Sequence, residues 1–81
     1  MKRKDWAKLK EGRLVKITWN DAWYRFSPSD LTGPLVTYIV GWVVYVDRGG
    51  VKICTEKNEF FDYRHEHYIP RGMVKKVRVM K

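Results

Sequence analysis

The chain has 81 residues, a single cysteine and a net charge of +8 at pH 7. That length makes one domain with a thin core, and Cys54 has no partner for an internal disulfide, so a reducing, cytoplasmic setting is expected. The longest apolar run, Leu35 to Val46, is twelve residues interrupted by Thr37 and Gly41, too short to cross a bilayer as a helix; no apolar stretch follows the charged first five residues, which argues against a signal peptide.

Residues 1–12 read as a basic N-terminal arm and residues 13–81 as one small β domain. Within the arm, Asp5 is placed to cap one helical turn that Gly12 would end, with Trp6 and Leu9 on one side of it; a frayed tail is the alternative. Residues 13–19 alternate. Val15, Ile17 and Trp19 fall on one face, and Leu14, Lys16 and Thr18 on the other, which predicts a half-buried strand broken at Asn20-Asp21. Residues 20–34 form a long excursion that holds Trp23, Tyr24 and Phe26 and ends in the Ser/Pro/Gly-rich stretch from Ser27 to Pro34.

The densest apolar region follows. Leu35 to Val46 and Val51 to Thr55 flank Asp47-Arg48-Gly49-Gly50, a set of residues suited to a tight reversal. An unbroken ladder would put Trp42, Val44, Val46, Val51, Ile53 and Thr55 on the inner face. Val43 and Tyr45 would then lie outside with Lys52, Cys54 and Glu56. Gly41, in the middle of the long strand, predicts a bulge or bend. Residues 57–59 read as a polar turn, and residues 60–69 as either a fourth strand or a structured loop. Ile69-Pro70-Arg71-Gly72 must turn, because proline fixes φ and removes a donor. Residues 73–80 close the chain as a last strand.

This order predicts an all-β fold: a small five-stranded, partly open barrel with one short N-terminal helical turn. Over residues 13–80 the order of elements, with the apolar-Pro-x-Gly turn before the last strand, resembles Src-homology-3-like and Sm-like small barrels. That resemblance implies that the first and last strands pair, which would set Lys16 beside Lys76 and Arg78. A narrower resemblance rests on Trp19-Asn20-Asp21-Ala22, Val40-Gly41-Trp42 and Ile69-Pro70-Arg71-Gly72. It is to small uncharacterised single-domain proteins of phages and prokaryotes, in which the last motif carries Lys where this chain has Arg71, and it implies no activity.

Charge is the main functional signal. Residues 1–25 carry +5, residues 26–70 carry −2 and residues 71–81 carry +5. Basic ends attract polyanions through counterion release, although solubilising tails have the same composition. The absence of glutamine and the high charged fraction give a thermophile-like profile. His65 and His67 project to one side of a strand, but nothing else completes a metal ligand set, and no metal or other cofactor is expected. Cys54 lacks an aligned base and no carboxylate pair has acid–base spacing, so no catalytic residue is assigned and the protein is expected to be non-enzymatic. Nucleic acid is the expected partner, with Lys2, Arg3, Lys4, Lys16, Arg71, Lys75, Lys76 and Arg78 on phosphates and Trp23 and Tyr24 either stacking on bases or packing as a lid. The rival expectation is a protein-interaction module or a homo-oligomer formed through Val43 and Tyr45.

Overall fold

A computed structural model describes residues 3–21, 35–60 and 62–80. Among these residues one helical turn, α1 (Arg3–Trp6), precedes five strands: β1 (Leu14–Asp21), β2 (Leu35–Val46), β3 (Gly50–Lys57), β4 (Tyr63–Pro70) and β5 (Val74–Val79). A 3-10 turn, Arg71–Met73, links the last two. All pairings are antiparallel in one sheet of order β4-β3-β2-β1-β5, which is not closed between β4 and β5.

β2 holds the sheet together because its two ends serve different neighbours. Its whole first part, from Leu35 to Trp42, pairs with β1, and Trp42 to Val46 pairs with β3. The first strand runs to Asp21, two residues beyond its expected end, because Asn20 and Asp21 still find ladder partners in Val36 and Leu35. At Gly41 the strands come so close that a Cβ would collide with the Cys54 carbonyl and the Ile53 side chain. Glycine here therefore marks close approach of backbones.

The bulge lies three residues further on. Trp42 opposes Cys54 and Val43 opposes Ile53, but Tyr45 opposes Lys52 and Val46 opposes Val51, so β2 carries one extra residue, Val44. That residue inverts the expected faces of β2 before it, at Trp42 and Val43, while Val46, Val51 and Ile53 stay inward and Tyr45 outward as expected. Val43 points into the core and is completely buried beside Val51 and Ile53, while Trp42 and Val44 are half-buried and Thr55 is exposed. The expected outer Val43–Tyr45 surface is thus absent: only Tyr45 of that pair reaches solvent.

The core comprises Val15, Ile17, Val43, Val51, Ile53, Ile69, Val74 and Val77, with Trp19, Ile39 and Val46 packed against it. The N-terminal segment contributes as well: Leu9 is only 6% exposed and Trp6 packs beside the core. Gly12, at φ 82°, turns that segment into the sheet, where its amide donates to the Val43 carbonyl at 2.8 Å. Cys54 is a free, buried thiol. The ambiguous stretch after Asn58 resolves into β4, entered through a turn in which the Asn58 side-chain oxygen accepts from the Phe60 and Asp62 amides. Pro70 ends β4 on the sheet edge, where its missing donor is tolerated. No helix among the described residues is long and apolar enough to cross a membrane.

Candidate nucleic-acid interface

β1 is the centre of the site. Its alternation sends Val15 and Ile17 into the core and Lys16 and Thr18 to the opposite face. β5 follows the same rule: Val77 is buried, while Lys76 and Arg78 are exposed. The antiparallel register then sets Lys16 opposite Arg78, and Thr18 opposite Lys76. On the other side of β1, Lys16 faces Val40 and Thr18 faces Tyr38 of β2. Lys16, Thr18, Tyr38, Lys76 and Arg78 together line an open depression of about 200 Å³.

Electrostatically this face is one-sided. Among the described residues, none of Lys16, Lys76 and Arg78 is ion-paired. The Lys16 ammonium lies over the Tyr38 ring, 4.9 Å from its centroid, a cation–π contact that holds the lysine on the face without neutralising it. Tyr38 nevertheless remains 63% exposed, and Val36 and Val40, two residues to either side, are 43% and 46% exposed.

The remaining sequence-assigned residues are scattered. Lys75 is exposed at the irregularity where the β1–β5 register shifts between Thr18 and Trp19. Arg3 and Lys4 are exposed on α1. Arg71 lies elsewhere, its guanidinium 4.9 Å from the centroid of the Trp6 ring. Lys2, Trp23 and Tyr24 lie outside the described residues. Lys8 is engaged structurally: its ammonium pairs with Asp5 at 3.0 Å and donates to the Val77 carbonyl at 3.2 Å, tying the N-terminal segment to β5.

Tyr38 and Thr18 are the residues that sequence reasoning missed. β2 is apolar on both faces, so alternation alone offers no contrast between them. The one available signal is Gly41: once it is placed inward, Val40, Tyr38 and Val36 must point outward.

The other titratable groupings are structural. Asp47 Oδ1 accepts from the Tyr68 hydroxyl at 2.9 Å and from the Gly49 and Gly50 amides at 2.8 and 2.9 Å. The Tyr68 hydrogen bond, with help from the two amides, holds the Asp47 carboxyl below its usual range; the same bond pushes the Tyr68 hydroxyl up. This network locks the β2–β3 turn. Among the described residues no cluster of three or more His, Cys, Asp or Glu side chains is arranged to hold a metal ion. Compared with models of known families, with curated proteins and with solved structures, the chain matches none.

Proposed function

We propose that this protein is a small, non-enzymatic, Src-homology-3-like barrel that binds nucleic acid mainly through its phosphates. The observation that carries this reading is the Lys16–Lys76–Arg78 cluster, three cations on one open face with no ion-pair partner among the described residues. Phosphates supply the missing counter-charge, and the ions they release on binding drive association. The exposed Arg3 and Lys4 of α1 and Lys75 of β5 extend the positive field beyond the depression and steer polyanions toward it.

A titration of labelled DNA and RNA at two salt concentrations tests the proposal. Affinity should fall steeply as salt rises, with a slope of about one for each phosphate-contacting cation. No binding of either nucleic acid at low salt would refute it.

A further inference from the structure

We infer that this face takes single-stranded rather than duplex nucleic acid, with the exposed part of the Tyr38 ring, beyond the Lys16 ammonium, as the stacking platform for a base, and Lys76 and Arg78, joined by Lys16 at the ring's edge, along the adjoining phosphates. The inference rests on the nucleic-acid reading above and deepens it.

The layout of the face is the reason. Lys76 and Arg78 form one line along β5, with Lys16 beside Arg78 on β1, and the exposed apolar side chains Val36, Tyr38 and Val40 form a second line on β2. Neighbouring strands lie about 4.8 Å apart, so the β5 and β2 lines run side by side at about 10 Å. A single strand has the same two-line layout, a charged backbone along one side and unpaired base faces along the other. A duplex hides its base faces in the stack, so it would use the cations and leave Tyr38 and its flanking valines uncovered. Two half-exposed valines beside a 63% exposed tyrosine are an unusual outer row for a water-facing sheet, and base faces cover such a row without asking it for hydrogen bonds. The sequence tolerance of stacking fits the absence of Asn, Gln, Asp and Glu among the described residues that line the depression.

The test compares a short oligothymidylate with a duplex of equal length, by fluorescence anisotropy at one low salt concentration, with polyglutamate as a competitor of matched charge. The wild-type protein should bind the single strand roughly tenfold more tightly than the duplex. Tyr38→Ala should weaken single-strand binding by about tenfold and change duplex binding by less than about twofold, whereas Tyr38→Phe, which keeps the ring, should retain the single-strand affinity. Because Tyr38 is exposed, both variants should keep the wild-type circular dichroism and melting curve. Equal or tighter duplex binding, an equal loss on both nucleic acids in Tyr38→Ala, or displacement of the oligonucleotide by polyglutamate would each overturn the single-strand inference while phosphate binding stands. Failure of both nucleic acids to bind would remove the underlying reading instead.

Discussion

The outer surface of the sheet has two halves built from the same residue types and wired differently. On the β5–β1–β2 half, Lys16, Lys76 and Arg78 have no carboxylate partner among the described residues. On the β3–β4 half Lys52 pairs with Glu66 at 3.3 Å and Arg64 with Glu56 at 3.6 Å, and the His65 ring nitrogen lies 3.3 Å from the same Glu56 carboxylate. Lys52 also lies 5.2 Å from the Tyr45 ring, and Lys57 lies 5.1 Å from both Trp42 and Tyr63. These exposed pairs contribute little to stability, each at most about 1 kcal/mol. The Lys52–Glu66 and Arg64–Glu56 ion pairs cancel charge where they form, so a strand-by-strand difference in partners concentrates the positive field on the β5–β1–β2 half.

Charge reversal should expose that contrast most strongly. Lys16→Glu/Lys76→Glu/Arg78→Glu removes the open cations and should weaken nucleic-acid binding by on the order of a thousandfold at low salt, with the salt slope flattened by about three. Lys52→Glu/Arg64→Glu on the other half reverses two charges that are already compensated there. It should weaken binding by less than about tenfold, through the long-range field alone. Equal losses in the two variants would show that net charge, rather than the arrangement of one face, governs binding.

The two halves meet along β2, and the way they meet was only partly legible in the sequence. The outward position of Lys16 and the inward positions of Val15 and Ile17 follow from simple alternation. The pairing of β1 with β5 does not; it came from the fold resemblance, since strands so far apart in the chain carry no local signal of their contact. The faces of Trp42 and Val43 were misassigned because the bulge at Val44 is made by an ordinary β-branched residue, without the glycine that often advertises one. Tyr38 escaped notice because a strand apolar on both sides hides its own parity. Trp23 and Tyr24, singled out as aromatics of the long 20–34 excursion, lie outside the described residues.

Gly41 is where this junction is most easily broken. Gly41→Ala introduces a Cβ into the Cys54 carbonyl and the Ile53 side chain, both on β3, and backbone cannot yield as a flexible side chain would. The substitution should destabilise the domain by about 3 kcal/mol, read as a shift of the urea midpoint at unchanged slope. A neutral outcome would mean that β2 and β3 can separate at this point, and the two halves would then be more loosely joined than their shared strand implies.

The smallest effect should come from the turn that joins β2 to β3, and it is a pH effect with a definite sign. The hydrogen bond from the Tyr68 hydroxyl, with those from the Gly49 and Gly50 amides, favours the charged form of Asp47 in the folded state and lowers its pKa. A carboxyl whose folded pKa is depressed contributes stability above its unfolded pKa, near 4, and loses that contribution as pH falls through the lower, folded value. Tyr68 acts at the opposite end: its folded pKa is raised, so its contribution is complete below its unfolded pKa, near 10, and is lost as pH rises through the folded one. Melting curves of the wild type and of Asp47→Asn should therefore differ most between about pH 5 and 9 and converge as the pH drops below about 4. Tyr68→Phe should remove the alkaline part of the dependence and raise the Asp47 pKa toward its ordinary value, because it deletes the largest of the interactions that lower it. Neither substitution touches the β5–β1–β2 face, so nucleic-acid affinity at neutral pH should stay within about twofold of wild type. A larger loss would place part of the binding surface on the hairpin and erase the distinction between the two halves.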